Sequence, residues 1–227
     1  MTSDGERDDG PLPVLFTVLA FTTGLIDATS FLALGQVFVA AMTGNIIILG
    51  LGLAGLDTAL SSGLSLLSFA AGAGFGGQVA LPWLEPRHRG LLLAAGTAVQ
   101  AVLVCGAAVF AFRYGLAEPW TRRPVIMVLA FSLGWEYAIV RGLKVPDLNT
   151  TVVTTTLTSL FAESVPPERQ GRRFVSICAL LAGALVSGLL HRMLSTLAPL
   201  WTATALLTGC AVTAYVTSRR PGAERWA

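Results

Sequence analysis

The stretch VFVAAMTGNIIILG, residues 37–50, is apolar enough for a bilayer yet carries Thr43, Gly44 and Asn45 at its centre. Gly44 weakens a helix by ~1 kcal/mol relative to alanine and lets another backbone or a ligand approach closely. In lipid every backbone group freed by a distortion needs a partner. The three residues therefore predict either a polar, watery neighbour or hydrogen bonding between helices by Asn45. About 111 residues later LNTTVVTTTLTSL, residues 148–160, repeats the pattern in Thr-rich form. There Thr154, Thr155 and Thr156 stand where Thr43, Gly44 and Asn45 stood, with Asn149 just before them. Threonine hydroxyls can also bond their own i−4 carbonyls and need nothing else.

Around these two stretches the chain is 54% apolar and only 12% charged, with a mean hydropathy of +0.70. A soluble domain carries about 25% charged residues, so most of the chain belongs in lipid. Eight apolar segments can be marked: Pro13 to Leu34, Val37 to about Leu56, Gly63 to Leu84, Gly90 to Phe112, Val125 to Val140, Asp147 to Glu163, Phe174 to Leu190 and Leu197 to Thr217. Several reach the ~20 residues that cross a bilayer core. The expected fold is an all-α, polytopic membrane helical bundle.

The segments fall into two units. Gly72, Gly76 and Gly77 in the third stand 111 residues before Gly183, Ser187 and Gly188 in the seventh, and Gly24 stands 110 before Gly134. Matches at nearly one offset predict two internal repeats of about 110 residues, 13–112 and 122–218. They are flanked by tails at 1–12 and 219–227. The small-xxx-small pairs Gly72/Gly76 and Gly183/Ser187 predict close helix packing, with the third and seventh segments crossing at the pseudo-symmetry axis. Six full crossings with segments two and six short or broken is the favoured count, and eight is the alternative. The distribution of Lys and Arg separates the two poorly, but both place the termini in the cytoplasm.

Asp27 lies about 14 residues into the first span, about 21 Å deep. An ionised carboxylate there costs ~3 kcal/mol or more, so such acids face a cavity or a partner. Glu136 sits at nearly the matching place in the fifth segment. The two acids predict a proton- or cation-coupling pair near the repeat interface; the structural alternative is neutralisation by a fixed partner, Arg141 for Glu136. Gln78 and Gln100 are further amides within the spans.

No HExxH, GxSxG or Walker loop is present, and Cys105, Cys178 and Cys210 form no CxxC pair. The expectation is therefore no enzyme, no cofactor and no metal. A net charge of +2 with no basic stretch carrying aromatics gives no nucleic-acid partner. The expected partners are the lipid bilayer and a small solute, with homo-oligomerisation left open.

Gly24-x-x-Asp27-Ala28-x-Ser30-Phe31, Gly35-x-Val37-Phe38-Val39 and Met42-Thr43-Gly44-Asn45 resemble the YoaK family, bacterial inner-membrane proteins that share a domain of unknown function. Pro146-Asp147-Leu148-x-Thr150-Thr151 resembles that family's second signature, although Thr154-Thr155-Thr156 stands where the family usually has Thr-Gly-Thr. The likeness covers about residues 12–218 and implies a multi-pass protein of the cell inner (plasma) membrane. The functional expectation is a small secondary transporter or permease for a small solute. Asp27 and Glu136 would couple it, and Thr43, Gly44, Asn45, Asn149, Thr154, Thr155 and Thr156 would line its path. The alternative is a non-transporting membrane scaffold or accessory subunit.

Overall fold

The computed structural model describes residues 10–55, 59–84, 88–143 and 167–221, and the regular elements among them are all helical. The expected sixth segment, with Asn149, Thr154, Thr155 and Thr156, lies outside the described residues. The first helix, α1 (Leu12–Ala33), begins where prolines at 11 and 13 preset the first turn. After a loop comes α2 (Met42–Leu53). Next, α3 (Ala59–Phe75) continues through a π-helical turn, Gly76–Ala80, into one more α turn, Leu81–Leu84.

The helix α4 (Arg89–Tyr114) is capped by the His88 ring, which accepts the Gly90 N–H at 3.0 Å, and it stops at Gly115, whose φ is +72°. Pro119 opens α5 (Pro119–Gly142). A turn at 194–197 separates α6 (Pro167–Met193) from α7 (Ala198–Ser218).

Apolar burial alone does not join helices in lipid, because lipid tails are as apolar as leucine; close packing and hydrogen bonds do. Two glycine seams supply that packing. A Cβ added at Gly24 would lie 2.1 Å from the Leu180 carbonyl oxygen, and one at Gly183 would lie 2.0 Å from that of Phe21. Further along both helices the Thr29 and Ser187 hydroxyls bond at 2.9 Å. Residue numbers rise together along this contact, so α1 and α6 run parallel.

The second seam has the same form. A Cβ at Gly72 would lie 2.1 Å from the Phe131 oxygen and one at Gly134 2.1 Å from the Phe69 oxygen, while Gly76 faces Ala138 and Trp135. Thus α3 and α5 also run parallel. The expected crossing of the third and seventh segments is not what forms. Their glycines, Gly72 and Gly183, have found the carbonyls of Phe131 and Phe21 on the fifth and first segments instead.

The start of α4 and the end of α7 line one groove of ≈ 730 Å³, with Leu91 and Ala94 on one wall and Tyr215 and Arg219 on the other. Those two helices are therefore antiparallel. With short turns joining α4 to α5 and α6 to α7, α1, α4 and α6 run one way and α3, α5 and α7 the other. The chain thus leaves α1 and enters α3 at one face, and α2 between them does not cross. Among the described residues six helices are long and apolar enough to span, whereas α2 has 12 residues. Eight crossings would make α4 and α7 parallel, which they are not.

The buried core is built by α1, α4, α5 and α7, through residues such as Phe16, Leu93, Leu129 and Leu207. The outer helices α3 and α6 hold on through the glycine seams and turn Leu67, Phe75, Leu181 and Leu185 outward. Alanine at Gly24, Gly72, Gly134 or Gly183 should destabilise the protein by about 1–3 kcal/mol, because the obstacle is backbone and cannot rotate away. Alanine at Gly74, where nothing lies within 4 Å, should not. Unfolding in detergent micelles compares them, and equal stability of all five variants would mean the helices stand further apart than described.

Candidate functional site

The loop between α1 and α2 turns back along α1 instead of leaving it. Gly35 and Gln36 take left-handed φ values of +91° and +59°, reversing the chain directly after α1. Ser30 Oγ donates to the Val37 carbonyl at 2.6 Å, and the rings of Phe31 and Phe38 stack with centroids 5.0 Å apart. The returning strand of backbone then meets Asp27. The amides of Val39 and Ala40 donate to Oδ1 at 2.7 and 2.8 Å, and that of Ala41 donates to Oδ2 at 3.3 Å.

Ala41 is the N-cap of α2 and supplies no side-chain bond of its own. Asp27 supplies the acceptors from the neighbouring helix, where the positive end of a helix dipole also favours a carboxylate. Since Asp27 lies six residues before the end of α1, α2 starts about 9 Å below that end. It begins five residues later than the apolar pattern predicts, because 37–41 is held as an irregular loop against α1.

Asn45 completes the clamp. Its Oδ1 accepts the Phe38 N–H at 2.9 Å, its Nδ2 donates to the Phe38 carbonyl at 2.6 Å, and Nδ2 also reaches Ser65 Oγ of α3 at 3.0 Å. Ser65 donates to the same carbonyl at 2.7 Å. A Cβ at Gly44 would lie 2.8 Å from the Phe38 ring, so the glycine leaves room for that ring. Of the predicted trio only Thr43 is exposed. The interhelical role weighed for Asn45 is the one its bonds describe, and nothing in the sequence signalled Ser65.

A second polar centre lies inside the core. Glu136 of α5 is 4% exposed, Gln100 of α4 0% and Thr23 of α1 1%. The Gln100 amide donates to Glu136 Oε2, and the Thr23 hydroxyl stands 3.3 Å from Oε1. Cys210 of α7 is buried within electrostatic range of the same carboxyl. The two acids do not pair: Glu136 meets α1 at Thr23, one turn before Asp27. Arg141 is exposed and does not partner Glu136. The unassigned Gln100 thus proves central, while Gln78, in the π-helical turn, faces outward. Trp135 fixes the ends of the site by donating to the Gly96 carbonyl at 2.9 Å. Among the described residues no three His, Cys, Asp or Glu side chains gather as a metal site.

A family model described as "Protein of unknown function (DUF1275)" matches residues 15–213. The "UPF0700 transmembrane protein YoaK" of Bacillus subtilis (strain 168) is 29% identical over 154 residues, which cover 66% of this chain and 65% of that relative. The match therefore spans less than two thirds of the relative's length. No solved structure matches the chain.

Asp27→Asn keeps one oxygen for Val39 and Ala40 but turns an NH2 toward the Ala41 amide. A bond to a charged group is worth about 1.5–3 kcal/mol, so the variant should lose about that much stability, and Asp27→Ala should lose more. Denaturant unfolding in micelles measures both, and a wild-type curve for Asp27→Ala would deny the carboxyl its role in holding the loop.

Proposed function

Because this chain belongs to the DUF1275 family, whose function is unknown, we propose that it is a small secondary transporter or permease made of two inverted repeats. One observation carries this reading. The first helix of each half lies in the glycine seam of the other half's third helix, α1 on α6 and α5 on α3. The two seams match at offsets of 110 (Phe21 to Phe131, Gly24 to Gly134) and 111 (Phe69 to Leu180, Gly72 to Gly183). Equivalent helices run in opposite directions, as inverted repeats require, and a short polar segment folds back between the first two spans of the first half. Transporters built this way bind solute near the midplane, beside discontinuous helices.

The two repeats are residues 13–112 and 122–218, flanked by short tails. Arg89, Arg141, Arg172, Arg173, Arg219 and Arg220 lie at the face holding the start of α1 and the end of α7. Arg113, Arg122, Arg123 and Arg192 lie at the other. This excess supports a cytoplasmic side for that face, and with it for both termini, in an inner membrane. The solute is small and of unassigned class, and the reading involves no catalysis and no cofactor. Thr43 and Gly44 at the deep end of α2 border the path. Asn149, Thr154, Thr155 and Thr156 are proposed to serve the second half in the same way. Asp27 and Asn45 frame the path more than they line it.

That framing is also what favours the second reading, a non-transporting scaffold, since both side chains are occupied by backbone. Single cysteines at positions 42–48, on a background with Cys105, Cys178 and Cys210 replaced, separate the two. A membrane-impermeant thiol reagent should label Thr43→Cys from the face where α1 ends, with labelling continuing to the buried turn. Uniform protection in folded, inserted protein would remove the transport reading and leave the scaffold.

A further inference from the structure

We infer that Glu136, Gln100 and Thr23 form a proton-binding centre, with Glu136 as the group that carries the proton. The inference rests on the transport reading above and names its coupling ion. The three side chains come from α5, α4 and α1, three of the four helices that build the core. No cation faces the carboxyl from any of them. α4 offers Gln100, α1 offers Thr23, and Asp27, one turn further, is engaged with the amides of Val39, Ala40 and Ala41. From α7 the titratable group is Cys210, and α3 meets α5 through Gly72 and Gly76. Arg141, on α5 itself, is exposed.

Counting hydrogens shows how the site is filled. The Thr23 hydroxyl has one hydrogen and two acceptors in reach, the Leu19 carbonyl at 2.9 Å and Glu136 Oε1 at 3.3 Å. It cannot serve both. When it back-bonds to Leu19, the contact with Oε1 needs a hydrogen from the carboxyl. A neutral Glu136 supplies it: Oε1–H donates to Thr23, Thr23 donates to Leu19, and Gln100 donates to Oε2. When Glu136 gives its proton to water, the Thr23 hydroxyl rotates from Leu19 to Oε1, so the carboxylate keeps two donors. Both protonation states are thus provided for without moving a helix.

A separate feature marks where the proton arrives. Gln100 Oε1 is buried and has no hydrogen-bond partner, although the same amide's nitrogen is engaged with the carboxyl. A buried acceptor left unmet costs about 1–3 kcal/mol. It is the natural seat for a hydronium or water that delivers the proton to Glu136 and removes it again. The ligand is therefore H⁺ carried by water. A bare monovalent cation would instead need several oxygens turned inward and would displace the Gln100 nitrogen from Oε2.

The test is infrared difference spectroscopy of the full chain in lipid nanodiscs, on stepping bulk pH, with a pH dye recording proton release. A carboxylic-acid C=O band should be present, shift in D2O, and fade as pH rises, with about one proton released per chain. It should vanish in Glu136→Gln and persist in Asp27→Asn. Thr23→Val should shift its frequency, since the carboxyl loses its hydroxyl acceptor, and Glu136→Asp should restore a displaced band if Glu136→Gln folds poorly. Absence of any band assignable to Glu136 would overturn the inference. So would a band that neither exchanges in D2O nor responds to pH, which would mean a fixed structural acid. A band removed by sodium ions at constant pH would replace the proton with a cation. None of these three results touches the cysteine labelling of α2, so the proton centre and the transport reading fail separately.

Discussion

Hydrocarbon offers a backbone amide nothing to bond with, so each one that leaves a helix inside the bilayer must find its acceptor in the protein. In this chain the demand is concentrated at Val39, Ala40 and Ala41, and Asp27 answers all three. That single side chain lets α2 begin within the membrane. It keeps the loop against α1 and returns the chain to the face it came from, so that α3 runs opposite to α1. Asn45 and Ser65 repeat the solution on the other side of the loop, around Phe38.

The helices are joined by a second constraint of the same kind, shortage of space in place of shortage of partners. Gly24 and Gly183 allow one pair of backbones to touch, and Gly72 and Gly134 another, and the hydroxyls of Thr29 and Ser187 add a bond only where the approach is that close. Between the two seams the four inner helices bury hydroxyls such as Thr22, Thr97 and Ser132, each bonded to a carbonyl of its own helix, and beside them the linked group Glu136, Gln100 and Thr23. The polar groups of the loop serve architecture. Those of the core have no comparable architectural duty, and this difference is the reason for placing ion coupling in the core.

Membrane residence, helical class and the extents of most spans could be read from apolar run length, and the small-residue pairs marked the helices that pack closely. The pairs could not tell which helices they meet. The expected crossing put Gly72 beside Gly183, but they meet the carbonyls of Phe131 and Phe21 instead. Crossing number was hidden too, since Arg residues are spread over both faces; the antiparallel meeting of Leu91 with Arg219 decided it. Asp27 was legible as an expensive acid, but its donors are amides of an irregular loop, which have no sequence signature. Arg141 was a poor partner for Glu136 for a geometric reason: five residues along a helix is about 140° around it. Gln100 stood out as an amide within a span, and only the packing of α4 on α5 could point it at Glu136.

α1 packs on α6, far along the chain, and α3 on α5. Gly24 is synthesised long before Leu180, its neighbour in the seam. At about 5–20 residues per second that delay is roughly 8–30 s, during which α1 sits in lipid with its glycine face and the Thr29 hydroxyl open. α3 waits for α5 for a shorter time. Insertion and assembly are thus separate events for this chain. Its early helices depend during the interval on lipid or on the insertion machinery to cover them, and a nascent chain halted before α6 would hold a membrane-embedded half with no surface to close on.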